Sequence, residues 1–268
     1  MSSTSMASDE ILRERRGPVE WIIFNRPQRL NAMTHRMEDH LIDICRDINQ
    51  DKVVRAVVFT GAAGSKPAFM AGQDVADLKD VASVDEAMAM ELRGEEVCIA
   101  VENIRVPTIS GISGACVGAG ALLAASCDVR IAYPSMRFGF PIARTVGNCL
   151  TVKNLARLTM VMGAPATKEL IFSARLLSAE EFKAIGALRE VTPDAAALLV
   201  RAQEIGEKFV ELAPLTLWGT KEGMRRLRDA MLPSIADLDI VKACYLSRDY
   251  REGTAAFLEK RKPSWTGK

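Results

Sequence analysis

The sequence predicts an α/β fold with a helical layer at its C-terminal end. Short β-rich runs alternate with helical patterns in the earlier part of the chain, and almost everything after residue 193 follows a helical pattern. A chain of 268 residues is long enough to bury a sizeable core. We therefore expect a disordered N-terminal lead (1–15), an α/β core (16–192) and a C-terminal helical region that serves oligomerisation (193–268).

The first predicted elements are two strands and a helix between them. VEWIIFN (19–25) and RAVVFTG (55–61) are β-rich runs that end in turn residues. Between them, apolar residues recur at helical spacing, namely Met37, Leu41, Ile44, Cys45 and Ile48. These patterns predict a strand–helix–strand unit.

The later elements continue the alternation. A helical pattern covers 84–104, and VPTISGIS (106–113) and DVRIAYP (128–134) are predicted strands. Short helices are expected over 150–186, and SAEEF (178–182) opens one of them with a serine N-cap and an acidic first turn. Strands that alternate with helices indicate right-handed crossovers in a layered core.

Composition argues against several classes of function. Lys and Arg total 35 against 34 Asp and Glu, a balance that is untypical of nucleic-acid-binding or membrane-binding surfaces. No apolar run approaches the roughly 20 residues that span a bilayer. The N-terminus lacks an apolar signal core, which indicates a cytoplasmic protein. The two histidines, His35 and His40, are spaced so that they do not share a helix face, so we expect no histidine metal site.

The segment GACVGAGALLAASCD (114–128) is the most unusual stretch, because it is crowded with Gly and Ala. A helix is predicted to start at Gly118–Ala119, and the first N–H groups of a helix lack intrahelical partners and attract negative oxygens. The loop FMAGQD (69–74) offers a second free N–H. Two converging N–H groups form an oxyanion hole. The alternative interpretation is close helix–sheet packing, which needs small residues and involves no chemistry.

Four ordered motifs resemble the crotonase superfamily, the enoyl-CoA hydratase/isomerase fold. They are FNRPQRLNAM, AFMAGQDVADL, GISGACVGAGALLAASCDVRIAYPSMRFGFP and EGTAAFLEKRKPSW, and the resemblance runs from about residue 18 to 265. It implies a ClpP/crotonase-like fold of ββα repeats with a C-terminal helical layer, assembled as a homotrimer or homohexamer. It also implies an acyl-CoA thioester substrate whose enolate is stabilised by two backbone N–H groups, with coenzyme A as part of the substrate and no other cofactor.

The resemblance also assigns residues. The two N–H donors fall on Gln73 and on Ala119, where the family usually has glycine. Contacts to the thioester and coenzyme A fall on positions flanking the two donors, after the NRP turn and near the C-terminus, where a neighbouring subunit often closes over the nucleotide: Gln28, Arg29, Leu30, Ala71, Gly72, Asp74, Val75, Gly118, Phe257 and Lys260. For Arg29 and Lys260 the alternative is a solvated surface charge.

The sequence departs from the family's hydratases at both catalytic glutamates. Their places are occupied by Leu122 and Ile142. Neither side chain transfers a proton, so hydration by the familiar pair of carboxylates is not available.

Other members of the superfamily suggest substitutes for the missing groups. Counting back from Pro107, the position of a catalytic histidine in the dehalogenase branch is Glu95 here, and the place of that branch's nucleophile, after a Gly-Asn pair, is Cys149. With Arg144 and Asn148 these form a candidate catalytic set. The alternatives are a solvated helix face for Glu95, a small buried residue for Cys149, and loop-tethering roles for Arg144 and Asn148.

Three functional hypotheses follow. The leading one is an enoyl-CoA hydratase/isomerase homologue that forms a thioester enolate, a lyase or isomerase of fatty acid metabolism. The second is a non-catalytic scaffold that binds acyl-CoA, since Leu122 and Ile142 make the acyl pocket more apolar. The third is a role set by the assembly surface, with the pocket closed to coenzyme A.

Overall fold

The computed structural model describes residues 10–74, 83–230, 232 and 237–268. Its strands are β1 (Ile11–Arg16), β2 (Val19–Phe24), β3 (Ala56–Gly61), β4 (Ala68–Ala71), β5 (Thr108–Ile112), β6 (Ala115–Val117), β7 (Val129–Ala132), β8 (Arg137–Gly139), β9 (Leu177–Ser178) and β10 (Glu190–Val191). Its helices are α1 (His35–Gln50), α2 (Val84–Glu102), α3 (Ala119–Ser126), α4 (Val152–Ser173), α5 (Ala179–Ala184), α6 (Ala195–Val210), α7 (Pro214–Ala230), α8 (Leu238–Tyr245) and α9 (Arg248–Leu258). The predicted α/β class with a helical C-terminal part is confirmed.

The strands form two sheets. The larger has the order β1-β2-β3-β5-β7-β10 and the smaller the order β4-β6-β8-β9. Three successive ββα units build them: β3–β4–α2, β5–β6–α3 and β7–β8–α4. The first strand of each unit joins the large sheet and the second joins the small one. The ββα repeats that the resemblance implies are therefore present, and every pairing between these units is parallel.

The apolar periodicity of α1 has the predicted consequence. The helix begins where Thr34 Oγ1 accepts a hydrogen bond from the N–H of Met37 at 3.1 Å. Its apolar face is buried in the main core together with Phe24 and Phe59 of the large sheet. The predicted start of α5 is also confirmed, because Ser178 and Glu181 form a reciprocal capping box.

The C-terminal helices do not form a separate layer throughout. Leu198, Ala202 and Ile205 of α6 pack against Trp21 and Val58 on the large sheet. The predicted division between residues 192 and 193 therefore does not separate two packing units. An amphipathic helix can cover the sheet of its own chain as readily as it can face a partner, and periodicity alone does not distinguish the two.

Two expectations need correction. Residues 11–15 of the predicted disordered lead belong to β1, which pairs antiparallel with β2 and buries Ile11. The helices expected over 150–186 include the 22-residue α4, whose two helical parts meet at Gly163, where the backbone is non-helical (φ 78°, ψ 157°). Gly163 and Pro165 produce a break within one element.

Within the described residues, no helix combines the length and apolar character needed to cross a membrane.

Candidate active site

The N–H of Gln73 lies just beyond the end of β4. The N–H of Met33 donates to the carbonyl of Gly72 at 2.9 Å, and the N–H of Asp74 donates to the carbonyl of Met33 at 2.7 Å. In such a parallel bridge the residue between the two, Gln73, directs its own N–H away from Met33. That direction leads to the other neighbour of β4, which is β6.

The N–H of Ala119 lies just beyond the end of β6. The first intrahelical hydrogen bond of α3 runs from the N–H of Leu122 to the carbonyl of Gly118 at 3.0 Å, so the N–H of Ala119 precedes the intrahelical series. Ala119 is the first helical residue. Alanine therefore meets no conformational penalty at a position where the family usually has glycine.

Glycines bring these two segments together. Ala71 pairs with Val117, so the next positions along both strands, Gly72 and Gly118, lie side by side. A Cβ on Gly118 would lie 3.6 Å from the Cα of Gly72, and Gly118 has a φ of 55°. The two N–H groups at Gln73 and Ala119 follow directly from this close approach.

The glycine-rich segment 114–128 both allows close packing and positions backbone N–H groups. A Cβ on Gly120 would lie only 2.3 Å from the carbonyl oxygen of Met70 in β4, so only glycine fits there. This contact presses the start of α3 against β4. The two interpretations left open by the sequence are therefore not exclusive, since the packing positions the N–H groups.

A cavity of about 170 Å³ lies at this place. Gln73, Ala119, Leu122 and Ile142 all line it. The two aliphatic residues stand where the resemblance puts the hydratase glutamates, so both glutamate places do face the same cavity as the two N–H groups. Phe140 and Leu150 add further apolar wall.

Glu91 of α2 brings a carboxyl to the same cavity. The Tyr245 hydroxyl donates a hydrogen bond to Glu91 Oε1, and the Asn148 Nδ2 donates to the Tyr245 hydroxyl at 3.1 Å. Burial, with the charges of Glu95 and Asp237, raises the pKa of Glu91 to about 7, although the bond from Tyr245 lowers it. This carboxyl can both accept and donate a proton near neutral pH.

A second carboxylate, Glu38 of α1, is held in an ionic network. Arg93 Nε lies 2.5 Å and His35 Nδ1 lies 2.8 Å from Glu38 Oε2. Glu38 also lines the cavity, but its Oε2 is already bound by both partners.

Glu95 is placed differently from the prediction. Its carboxylate forms an ion pair with Lys153 at 2.7 Å and lines a neighbouring cavity of about 550 Å³. The sequence count from Pro107 put it beside the thioester, but Glu91, one helical turn earlier, occupies the wall of the cavity that contains Gln73 and Ala119.

Cys149 and Arg144 are also placed away from that cavity wall. Burial and the neighbouring Cys244 raise the pKa of the Cys149 thiol, which disfavours the thiolate that a nucleophile needs. The Cys149 side chain packs in a small apolar cluster with Tyr245. Arg144 is exposed in a short 3-10 turn (Pro141–Arg144). Only Asn148 of this predicted loop set lines the cavity.

The residues assigned to coenzyme A lie at the surface or in the backbone framework. Gln28, Arg29, Phe257 and Lys260 are exposed. The carbonyl of Leu30 accepts from the N–H of Ala71 at 3.0 Å and thereby anchors β4. Val75 lies outside the described residues.

Asp74, the next residue assigned to coenzyme A, has its side chain in an ion pair. Its carboxylate is buried and lies 2.7 Å from the guanidinium of Arg26. A buried carboxylate held in this way is part of the framework that supports the preceding Gln73.

Two buried side-chain atoms of the cavity wall have no hydrogen-bond partner among the described residues. They are Gln73 Nε2 and Asn148 Oδ1. Unpaired buried polar atoms are costly and mark places where a ligand or water completes the bonding.

Sequence reasoning missed Glu91 and Tyr245, which are far apart in the chain and meet because α8 packs on α2. One local signal was available: Gly94 lies three residues after Glu91 on the same helix face and also lines the cavity. Across the described part of the chain, no cluster of His, Cys, Asp or Glu has the makings of a metal site.

Comparisons with known proteins agree with this architecture. A family model described as enoyl-CoA hydratase/isomerase matches residues 14–268. The chain is 30% identical over 261 residues to a short-chain-enoyl-CoA hydratase of Clostridium acetobutylicum (96% of this chain, 97% of that protein). It is 32% identical over 260 residues to a probable enoyl-CoA hydratase of Rhizobium meliloti (96% and 98%).

Among solved structures, the chain is similar to a methylmalonyl-CoA decarboxylase in complex with 2-nitronate-propionyl-CoA. The TM-score is 0.88 at 27% identity, covering 97% of this chain and 99% of that one. The family match, the ββα units and the shared fold lead to one conclusion: the chain belongs to the enoyl-CoA hydratase/isomerase family of the crotonase superfamily.

Proposed function

We propose that this protein forms the enolate of an acyl-CoA thioester and shifts a proton along the acyl chain, as a double-bond isomerase does. One observation carries the proposal. Gln73 and Ala119 line the same cavity as Leu122 and Ile142, which occupy the places of the two hydratase glutamates.

Stabilisation of the enolate oxygen follows from the two backbone donors. The N–H of Ala119 lies at the positive end of α3, and the N–H of Gln73 points toward the same small sheet edge. Two preorganised N–H groups in a largely apolar cavity favour the oxygen as it becomes negative. The thioester class is supported by the relatives, which are named enoyl-CoA hydratases, and by the CoA-bound decarboxylase structure.

An isomerase-type proton shift suits this cavity better than water addition. Hydration in the familiar manner needs groups that hold and split a water molecule, and Leu122 and Ile142 have no transferable proton. Apolar side chains at these positions also favour an acyl chain over an ordered water. A proton shift between two carbons needs only one acid–base group.

The test is mass spectrometry of 2-enoyl-, 3-enoyl-, aryl- and dicarboxyl-CoA thioesters incubated with the protein in heavy water. We expect deuterium uptake in a 3-enoyl thioester and its conversion to the 2-enoyl isomer. If every thioester binds but returns unlabelled, the enolate proposal is wrong and the protein is an acyl-CoA-binding scaffold.

Removal of one backbone donor provides a sharper test. Proline at the first helical position keeps the helix but lacks an N–H, so Ala119→Pro should delete only the donor. We expect a loss of about 10²- to 10³-fold in the deuterium exchange rate. Ala119→Gly keeps the N–H and is the matched control. Equal exchange by both variants would remove Ala119 from the mechanism.

We also propose a homotrimeric or homohexameric assembly. The support is the surface of α7, where Leu215 is 78% and Trp218 is 47% exposed. Large apolar side chains grouped on one helix are typical of protein–protein contacts.

A further inference from the structure

We propose that Glu91 is the catalytic acid–base group of the cavity, carrying a proton between two carbons of a 3-enoyl thioester, and that Tyr245 and Asn148 are its positioning residues. The inference rests on the enolate chemistry proposed above and supplies the proton carrier that Leu122 and Ile142 do not.

The hydrogen bonds around Glu91 have one consistent direction. The single hydroxyl proton of Tyr245 goes to Glu91 Oε1, so the tyrosine oxygen is free to accept from Asn148 Nδ2. This assignment also fixes which end of the Asn148 amide faces Tyr245. Among the described residues no hydrogen bond reaches Glu91 Oε2. One oxygen of the carboxyl is therefore held, and the other is available to a substrate in the cavity.

The surroundings of Glu91 raise the pKa of its carboxyl to about 7. Groups on several elements face Glu91. They are Tyr245 of α8, Glu95 of α2 with its partner Lys153, Asp237 just before α8, and Cys149 in the loop before α4. Burial and the two carboxylates oppose ionisation, whereas Tyr245 favours it. An acid–base group that serves in both directions needs this balance.

The other carboxylates near the cavity are already held in ion pairs. Glu38, which lines the same cavity beside His35, is bound by Arg93, and Glu95 is bound by Lys153. Protonating either would break an ion pair. The unpaired Asn148 Oδ1 and Gln73 Nε2 lie on the wall beside Glu91 and independently indicate that a polar ligand completes this cavity.

The step balances without any further reactant. Glu91 removes a proton from the α-carbon of the 3-enoyl thioester, and the electron pair of that C–H bond moves into a dienolate whose negative oxygen accepts from the N–H groups of Gln73 and Ala119. Glu91 then delivers a proton, the same one or one exchanged with solvent, to the fourth carbon. The carbon–carbon double bond has moved next to the thioester, and the carboxylate is regenerated.

The test compares two isosteric variants on the same helix. Glu91→Gln keeps an oxygen to accept from Tyr245 but cannot transfer a proton. We expect its exchange and isomerisation rates to fall about 10²-fold or more, with thioester binding retained. Glu96→Gln, on the exposed side of the same helix, should keep the wild-type rate. Wild-type turnover by Glu91→Gln overturns the proposal.

A second measurement tests the positioning role of Tyr245. Tyr245→Phe removes a hydrogen bond that lowers the pKa of Glu91, so the ascending limb of the pH–rate profile should move to higher pH. A purely structural tyrosine would change the rate at all pH values without moving that limb, and this outcome overturns its assignment.

Failure of the inference and failure of the enolate proposal are distinguishable. If the wild-type protein labels no thioester, the enolate proposal fails. The carboxyl itself is then followed by infrared titration, with Glu91→Gln as the reference. A carboxyl that titrates near pH 7 in the wild type and is missing from the variant supports the acid–base assignment. If no such carboxyl is present, the assignment is wrong whatever the reaction.

Discussion

The raised pKa that suits Glu91 to its proposed acid–base role also costs the fold stability at higher pH. Its carboxyl is placed in a cavity wall with Glu95 and Asp237 nearby, and its ionisation is opposed by burial and by their charges. Because its pKa is raised from 4.5 to about 7, the folded state holds this proton more tightly than the unfolded state does. The stability contributed by the neutral carboxyl is full below about pH 4.5 and is lost as the pH rises through about 7.

Glu91→Gln should therefore stabilise the fold above neutral pH. The neutral amide keeps the bond from Tyr245 without an ionisation cost, so we expect a gain on the order of 2–3 kcal/mol in the free energy of unfolding at pH 8.5 relative to pH 4. Denaturant unfolding at the two pH values measures this. Glu96→Gln, on the exposed side of the same helix, is the control and should show little pH-dependent difference. Equal effects from both variants would contradict the raised pKa of Glu91.

At this scale the sequence predicted the two proposed donors but not the proposed acid–base group. Gln73 and Ala119 were predicted from ordered motifs, because backbone N–H groups follow from the positions of a strand end and a helix start. Glu91 depends on Tyr245 and Asn148, which lie in distant segments and meet it only after α8 packs on α2. No local spacing in the sequence predicts that contact.

At the scale of elements, the inner strands of the large sheet were predictable, whereas its edge strands β1 and β10 and the small sheet were not. The inner strands β2, β3, β5 and β7 are rich in β-branched or aromatic residues, a pattern typical of strands. Strands β6 and β8 have three residues each and are surrounded by glycine-rich or proline-containing turns. Three residues are too few to show a period of two, so only tertiary pairing identifies them.

Replacing glycine by alanine should have opposite effects at Gly120, where α3 contacts β4, and at Gly223 in α7. In Gly120→Ala the new Cβ would lie 2.3 Å from the Met70 carbonyl oxygen, so we expect roughly 1–3 kcal/mol of destabilisation and slower exchange. In Gly223→Ala, within α7, a Cβ meets nothing within 4 Å, so about 0.5–1 kcal/mol of stabilisation is expected. Thermal unfolding of both variants measures this. A neutral Gly120→Ala would refute the close helix–strand contact.

At the scale of the whole molecule, α6 and α7 differ in what they cover. α6 buries its apolar face on the large sheet. α7 is instead attached by polar contacts: Lys221 Nζ lies 2.7 Å from Asp128, and Arg228 bonds to the half-buried Glu102. Arg228 is the buried residue of α7, while Leu215 and Leu227 are 78% and 60% exposed. Within the described chain, its apolar residues therefore face outward.

The proposed assembly should depend on this face of α7. The double variant Leu215→Glu, Leu227→Glu places like charges on it, and we expect a smaller particle in light scattering coupled to size-exclusion chromatography. Val53→Glu, in the turn after α1 and 63% exposed, is the control and should leave the mass unchanged. A wild-type monomer, or an unchanged mass for the double variant, would argue against assembly through α7.

The groups proposed to bind the thioester oxygen, at the ends of β4 and β6, belong to the main chain, and this affects how such a protein can change its reaction. Side-chain replacements at Leu122, Ile142 or Glu91 leave the N–H groups of Gln73 and Ala119 in place, because these depend on strand pairing and on the glycines beside them. If the proposal holds, new proton chemistry is within reach of single substitutions that do not disturb the binding of the thioester oxygen.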